Sequence, residues 1–423
     1  MKKYLLLAIL LSAKVTAQYA DPNFPKPTSG YGADGSHSIA TTTFNNPYFD
    51  GHNIVIYYPA DVTTPVPTIF YSHAYGGNDP DNISGVLEFI AKKGYAVVFV
   101  PYQTANTTTT PQRYANLISG FRQAAFDYPD IIDTTKVGFL GHSFGGGASF
   151  AIETELSQID GWGSNGRFIY ALAQWYSYNL ADSLNISLPT DTKVLIEIFN
   201  DDETNDHRMA IDAFNNINIA ASEKDFLLVS SSIVNGYDYE AVHNLPSTSS
   251  TTAAFDALDY YAYYRLLAAL CDYTFNGSLV GKNVALGHGS LAQVTMPTGM
   301  GNLQQYSSPT VVYPEENYEF PCSNDELNPR HEYCPESTEL GLVMDTADHS
   351  KSAVTLYPNP ADTALFIQTQ QQNGLQVALY NNLGQQINAY TSATNNLTIN
   401  VSNLQRGVYF ILVNGTQQKF IKI

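Results

Sequence analysis

One serine of the chain lies in a pattern that is typical of enzyme nucleophiles. Gly141, Ser143 and Gly145 form Gly-x-Ser-x-Gly, after an apolar run at 136–140 and before a segment, 146–152, that can begin a helix. In a tight strand-to-helix turn the serine hydroxyl is exposed, and the residues two positions away must be small. The first N–H groups of the helix would face the charge that develops on an attacked carbonyl. The pattern predicts a nucleophile at Ser143; a glycine-rich turn with an incidental serine is the alternative.

A nucleophilic serine needs a base, and the base needs an acid that orients it. In a parallel sheet these groups follow later strands, in the chain order serine, acid, histidine. The apolar run 194–199 ends in the acidic segment 200–206, in which we predict Asp202 as the acid and keep Asp201 and Asp206 as alternatives. The same segment could be a solvated loop, a helix cap or a calcium site, although it lacks the spacing of an EF-hand.

Two histidines compete for the role of the base. His243 follows the strand predicted at 225–231 by one loop, which is the expected place, and it is the predicted base. His288 comes after the last long predicted helix and remains the alternative, whereas His207 lies too close in sequence to the acid.

Two backbone N–H groups are expected to bind the oxyanion that forms during attack. Phe144 directly follows the nucleophile and supplies one of them. The other is expected from Tyr75, in the loop Ser72-His73-Ala74-Tyr75-Gly76-Gly77 that follows a predicted strand. This loop resembles the His-Gly-x-Gly-Gly loop of esterases, with Ala74 in place of the more usual glycine.

The elements that must position these residues alternate between strands and helices. Strands are predicted at 53–58, 67–71, 95–100, 136–140, 168–173, 193–199 and 225–231, and helices near 82–93, 112–127, 145–156, 207–220 and 252–274. This alternation predicts an α/β fold with a mostly parallel sheet that helices cover on both faces. Residues 276–335 show no such pattern, and we predict an irregular segment that wraps over the core.

Residues 50–275 resemble the α/β-hydrolase superfamily. The segment Gly-His-Ser-Phe-Gly-Gly at 141–146 is similar to the serine turn of platelet-activating-factor acetylhydrolases and of dienelactone-hydrolase-like esterases. Trp175 and Tyr75 stand where bacterial cutinases and polyester hydrolases carry aromatic residues in the substrate cleft, although either could be ordinary core. The resemblance implies a serine carboxylic-ester hydrolase that works through an acyl-enzyme without a cofactor. It suggests aromatic or polymeric esters as substrates, bound by Tyr75 and Trp175.

The same residues are also compatible with several other functions. A lipase, an acetylhydrolase or a peptidase could use the same fold, and a non-catalytic cell-surface adhesin is the alternative from another class. A net charge of −19 argues against nucleic acid or an anionic membrane surface as a partner.

Residues 1–17 are predicted to be a secretory signal. Lys2 and Lys3 precede an apolar stretch at 4–13 that is too short to span a bilayer, and Gln18 is the predicted mature start. No later segment reaches 18 uninterrupted apolar residues, so we predict no membrane span.

The three cysteines fit an oxidising compartment. Cys322 and Cys334 lie close together in a polar, proline-containing segment and are predicted to form a disulfide bond. They lack the CxxC spacing of zinc ligands, and we predict no metal site. Cys271 lies in an apolar helical run and is predicted to be a buried thiol.

The character of the sequence changes after a predicted linker at 336–352. Short alternating strands are predicted at 363–369, 375–380, 397–401, 408–413 and 420–423, which is typical of a small β-sandwich. The segment 353–423 resembles the type A C-terminal sorting domain of the type IX secretion system. The matching elements are Tyr357-Pro358-Asn359-Pro360, 379–384, 404–409 and 419–423.

The resemblance implies export across a Gram-negative outer membrane by the type IX machinery, to the medium or the cell surface. A carbohydrate-binding or adhesive sandwich is the alternative. The predicted organisation is therefore a signal at 1–17, an α/β-hydrolase domain at 18–335, the linker and the sorting domain.

Overall fold

The computed structural model describes residues 19–105, 108–178, 188–248, 253–310, 354–369, 374–381, 386–414 and 416–422. They belong to two compact units whose boundary lies between Tyr333 and Cys334. The predicted signal at 1–17, the predicted disulfide of Cys322 with Cys334 and the predicted linker at 336–352 lie outside the described residues and stay predictions.

Most strands of the first unit belong to one large sheet. The strands are β1 Ile39–Asn45, β2 Asn53–Pro59, β3 Val66–Ser72, β4 Ala96–Phe99, β5 Ile132–His142, β6 Arg167–Leu172, β7 Lys193–Phe199, β8 Lys224–Val229, β9 Ser232–Val234, β10 Tyr237–Tyr239 and β11 Gln304–Gln305. The sheet order is β1-β2-β4-β3-β5-β6-β7-β8-β11, while β9 and β10 pair separately. The strands from β4 to β8 run parallel, whereas β1 and β2 at one edge and β11 at the other are antiparallel to their neighbours.

Helices cover both faces of this sheet. They are α1 Ser84–Lys92, α2 Thr110–Asp127, α3 Phe144–Asp160, α4 His207–Asn216, α5 Arg265–Asn276, α6 Leu279–Ala285 and α7 Leu291–Val294. A π-helical segment, Leu258–Tyr264, leads into α5, and short 3-10 turns lie at Pro80–Ile83 and Ala221–Glu223. Helix α2 begins two residues before its predicted start, and Thr109 and Gln112 form a reciprocal capping box there.

The core consists of two apolar layers, one on each face of the sheet. Two consecutive residues of β3 illustrate the division. Tyr71 belongs to the buried cluster that includes residues of α1 and α5, while Phe70 belongs to the cluster that includes residues of α2, α3 and α4. Both layers are buried, as expected for parallel strands that carry helices on both sides. The observed architecture is thus a mixed, mostly parallel α/β sheet.

The prediction of an irregular segment after residue 275 was wrong over its first part. Residues 276–310 contain α6, α7 and β11, and β11 adds an antiparallel edge to β8. Elements of two to seven residues are too short to show a helical or strand period, which explains why the sequence pattern missed them.

In the second unit, the paired strands that the structure describes are antiparallel. Its strands are β12 Val354–Tyr357, β13 Ala364–Thr369, β14 Leu375–Tyr380, β15 Gln386–Ser392, β16 Asn396–Asn400, β17 Gly407–Val413 and β18 Thr416–Lys422. They form two sheets with the orders β12-β13-β16 and β15-β14-β17-β18. Leu365 and Ile367 of the first sheet share one buried core with Leu379 and Ile411 of the second, so the unit is a small β-sandwich.

Candidate active site

Ser143 occupies the turn between β5 and α3. Its backbone has φ 55° and ψ −122°, an unusual conformation for a residue with a side chain. The turn is held by hydrogen bonds from Ser143 N to Leu172 O (2.9 Å) and from Trp175 N to Ser143 O (2.8 Å). A side chain at Gly145 would place its Cβ 1.9 Å from Ser72 O, and one at Gly141 would place it 2.2 Å from Gly145 O. Both glycines are therefore required by close backbone contacts.

Three side chains from different parts of the chain meet at this turn. His243 Nε2 lies 3.0 Å from Ser143 Oγ, and His243 Nδ1 lies 2.9 Å from Asp202 Oδ2. Ser143 follows β5, Asp202 follows β7 and His243 follows the β9–β10 hairpin, so the three residues meet at the carboxyl edge of the parallel strands. The geometry has the order nucleophile, base and orienting acid that acyl transfer requires.

The surroundings of Asp202 keep its carboxylate charged. Burial raises the pKa of this group, but the hydrogen bond and charge interaction with His243 and the N–H groups of Asn205 and Thr204 outweigh burial, and the net pKa is lowered. Those N–H groups donate to Asp202 Oδ1 at 2.9 and 2.8 Å, which leaves Oδ2 for the histidine. Because the folded-state pKa is lowered, the resulting stabilisation is present near neutral pH and is lost as the pH falls through that pKa.

The alternative acids have other partners. Asp206 caps α4 and forms a buried ion pair with Arg208, and Asp201 accepts a hydrogen bond from the neighbouring Asn200 side chain. The alternative base is also elsewhere: the backbone N of His288 donates to Asp225 Oδ2 at 2.9 Å. Asp225 lies near the amino end of β8, whereas Ser143 follows the carboxyl end of the parallel strand β5.

His142, which the sequence did not single out, lies beside His243, the predicted base. Its Nε2 lies 2.8 Å from the backbone O of His243, and the two rings lie 4.8 Å apart. Burial, together with repulsion from His243, lowers the pKa of His142 to about 3. A neutral His142 therefore donates to that carbonyl and fixes the backbone of His243.

The loop after β3, where the second oxyanion donor is predicted, is held by a buried histidine. His73 stacks on Tyr102, with ring centroids 4.1 Å apart, and its Nδ1 lies 2.7 Å from Ala74 O. The N–H of Tyr102 donates to His73 Nε2 at 3.3 Å, so the ring carries its proton on Nδ1. Burial lowers the pKa of His73 to about 4. The ring thus stays neutral and anchors the loop that carries Tyr75.

Tyr75 and Phe144, the two predicted oxyanion donors, lie side by side. Their rings pack edge to face with centroids 6.3 Å apart, and the guanidinium of Arg113 lies 5.0 Å from the Tyr75 ring and 5.8 Å from the Phe144 ring. Tyr75 remains 48% exposed and its hydroxyl donates to Thr104 O. Phe144 is the first residue of α3, where N–H groups have no partner within the helix.

Trp175, the other predicted substrate-binding residue, is partly buried against the core layer that α2, α3 and α4 cover. Its backbone N donates to Ser143 O, which places it next to the serine turn. Substrate binding by Tyr75 and Trp175 stays a prediction.

Asn205 is a second residue of the site that the sequence analysis missed. Its side-chain nitrogen lies 3.3 Å from Ser143 Oγ and 2.6 Å from Ala173 O. It lies three residues after Asp202, in the segment already expected to carry the acid. Its place in that segment could have marked Asn205 as a candidate, but a loop sequence does not show which way a side chain points.

Comparison with known families identifies the second unit. Residues 355–423 match the family described as a secretion system C-terminal sorting domain, which confirms the predicted type IX sorting domain. The chain is therefore a secreted or cell-surface protein of a Gram-negative bacterium. No curated protein is significantly similar to the chain.

Two other features are absent from the part of the chain that the structure describes. There, no helix is both long and apolar enough to cross a bilayer. In the same residues, no group of three or more His, Cys, Asp or Glu side chains is placed to hold a metal ion. Cys271 is a buried free thiol, and burial raises its pKa.

Proposed function

We propose that the first unit is an α/β-hydrolase and that the secreted protein is a serine carboxylic-ester hydrolase. The observation that carries this proposal is the hydrogen-bonded series Ser143 Oγ, His243 and Asp202, with distances of 3.0 and 2.9 Å at a strained strand-to-helix turn. A turn that merely linked a strand to a helix would need neither the strain nor the two partners.

The fold supports the same proposal. Strands β2-β4-β3-β5-β6-β7-β8 follow one another in the sheet with the nucleophile after β5 and the acid after β7. This order resembles that of α/β-hydrolases, in which the nucleophile, acid and histidine occur in that chain order.

The first half-reaction transfers the acyl group to the serine. The Ser143 Oγ–H proton moves to His243 Nε2 as Oγ forms a bond to the ester carbonyl carbon. Asp202 stabilises the resulting imidazolium, and the N–H groups of Phe144 and Tyr75 are the proposed donors to the oxyanion. The carbon–oxygen bond to the alcohol then breaks, and His243 returns its proton to the departing alcohol.

The second half-reaction releases the acid. His243 accepts a proton from water as the water oxygen bonds to the acyl carbon, and the bond to Ser143 Oγ breaks with return of the proton to Oγ. The steps use only groups of the chain and water.

A direct test is hydrolysis of p-nitrophenyl esters with acyl chains of two to twelve carbons by the secreted protein. We expect turnover of at least the short esters, and the dependence on chain length separates an esterase from a lipase. Absence of turnover for every ester and for p-nitroanilide amides would instead favour a non-catalytic adhesin.

Asp202→Asn is expected to lower kcat by about 10⁴-fold, the loss seen when the acid of a known triad is made neutral. The amide cannot stabilise the imidazolium and favours the wrong tautomer of His243. Asp201→Asn is the matched control, because Asp201 bonds its neighbour Asn200 and is expected to keep full activity. The assay is hydrolysis of p-nitrophenyl butyrate at neutral pH. Equal activity of both variants would exclude Asp202 as the acid.

The proposed substrate class is aromatic or polymeric esters. Tyr75 supports this substrate class because its ring is half exposed beside Phe144, where an aromatic group of a substrate could stack on it. Trp175→Ala is expected to reduce turnover of an aromatic diester several-fold more than turnover of p-nitrophenyl acetate, because stacking on an aromatic group contributes about 0.5–1.5 kcal/mol. Equal losses on both substrates, together with a lower Tm, would assign Trp175 to the core.

The sorting domain is expected to be unnecessary for chemistry. A protein that ends at residue 335 should keep full kcat but remain inside its native host, since residues 355–423 form the family-matched sorting domain and Ser143, Asp202 and His243 all lie before it. The measurements are ester hydrolysis by the purified shortened protein and immunodetection in cells and medium. Loss of activity by a folded shortened protein would make the second unit part of the substrate site.

A further inference from the structure

The side chain of Asn205 contacts the nucleophilic oxygen itself. Asn205 Nδ2 lies 3.3 Å from Ser143 Oγ, and the asparagine is buried, with 5% of its surface exposed. The same nitrogen lies 2.6 Å from Ala173 O. A backbone carbonyl can only accept a hydrogen bond, so the atom that faces it must be the amide nitrogen. The orientation of the amide is therefore fixed, and an N–H group points at Oγ.

Ser143 Oγ consequently has two different partners. A serine hydroxyl offers one proton and two lone pairs. The proton is directed to His243 Nε2 at 3.0 Å, and one lone pair accepts from Asn205 Nδ2. The second lone pair remains for attack, and the two hydrogen bonds together fix the rotation of the hydroxyl.

Asn205 also contacts the acid. Its backbone N donates to Asp202 Oδ1 at 2.9 Å. Its amide holds the carbonyl of Ala173, which has φ 41° and lies directly after β6. One residue thus connects the nucleophile, the acid and the strained end of the neighbouring strand.

We propose that Asn205 is a catalytic residue, whose side-chain amide donates a hydrogen bond to Ser143 Oγ and stabilises the negative charge on this oxygen. This inference rests on the proposed function. Charge develops on Oγ twice: when its proton moves to His243 before attack, and when the bond to the acyl carbon breaks during release of the acid. The donor differs from the oxyanion N–H groups, which act on the carbonyl oxygen.

The test uses diethyl p-nitrophenyl phosphate, which needs no knowledge of the natural ester. Ser143 Oγ forms a bond to phosphorus, its proton moves to His243, and p-nitrophenolate leaves with the electron pair of the broken bond. The second-order rate constant, read from the colour of p-nitrophenolate, reports the reactivity of Oγ. Peptide mapping locates the label.

Asn205→Ala is expected to lower this rate constant about ten- to hundredfold, the effect of removing one hydrogen bond to a charged oxygen. Asn200→Ala is the matched control, because Asn200 lies in the same loop with its amide on Asp201 rather than on the serine. The control should react at the rate of the unchanged protein.

Asn205→Leu separates a direct role from one limited to filling space. Leucine has nearly the size and branching of asparagine but carries no donor, so a direct donor predicts that this variant reacts about as slowly as Asn205→Ala. A role limited to filling space predicts that the leucine variant reacts faster than the alanine variant, because alanine leaves a cavity. Circular dichroism and thermal melting check that each variant is folded.

The outcomes also distinguish the two proposals. If the unchanged protein is not labelled at Ser143, the proposed function is wrong. If the unchanged protein is labelled and a folded Asn205→Ala or Asn205→Leu variant reacts within twofold of it, the role of Asn205 is wrong while the proposed function stands. A faster reaction of the leucine variant than of the alanine variant would likewise overturn it.

Discussion

Ser143→Ala is expected to lower ester hydrolysis by about 10⁴–10⁶-fold, the range found when members of known Ser-His-Asp triads are removed. The lost atom is the one that forms the bond to the acyl carbon in the proposed mechanism, and it lies 3.0 Å from His243 Nε2. The fold should persist because alanine differs from serine by one oxygen. The assay is turnover of p-nitrophenyl butyrate, with circular dichroism as the check on folding.

Ser149→Ala is the matched control for this prediction. Ser149 lies in α3, the helix that follows the serine turn, but its hydroxyl donates to the backbone O of Gly145 at 2.9 Å and has no role in the proposed chemistry. This variant should keep activity within a few-fold. A folded Ser143→Ala protein that retains more than a tenth of the original activity would contradict the mechanism.

The serine turn was predictable because its requirements are local. Gly141 and Gly145 must lack side chains where β5, α3 and the end of β3 approach one another, and these constraints leave a readable pattern in the sequence. The alternation of apolar runs with helical segments likewise predicts the parallel part of the sheet. The edge strands β1 and β11 depend on partners distant in sequence, and no local pattern reveals them.

The residues that contact the proposed triad were not predictable in the same way. His142 bonds a carbonyl 101 positions away in the chain, and Asn205 reaches Ser143 across 62 positions. Both contacts join residues that are distant in sequence, so no local pattern indicates them. The path of the loop after β7 brings Asn205 to Ser143, and the path of the chain after β10 brings the carbonyl of His243 to His142.

The sequence left the choice between His243 and His288 open for a physical reason. Both follow segments that could end at a sheet edge, and spacing along the chain does not show which edge. The contact of His288 with Asp225 places it near the amino end of β8, whereas Ser143 follows the carboxyl end of the parallel strand β5. Parallel strands separate these ends by the height of the sheet.

Because His288 is separated from Ser143 in this way, we expect the two histidines to differ strongly in their effect on activity. His243→Ala should lose about as much activity as Ser143→Ala, because residues of a triad act as a unit and the serine proton then has no acceptor. His288→Ala should keep activity within a few-fold. Both variants are measured with p-nitrophenyl butyrate and with diethyl p-nitrophenyl phosphate. Because the first variant leaves a cavity beside Ser143, added imidazole should restore part of its reaction with the phosphate. An inactive His288→Ala beside an active His243→Ala would show that the base is misassigned, and two active variants would remove the histidine from the mechanism.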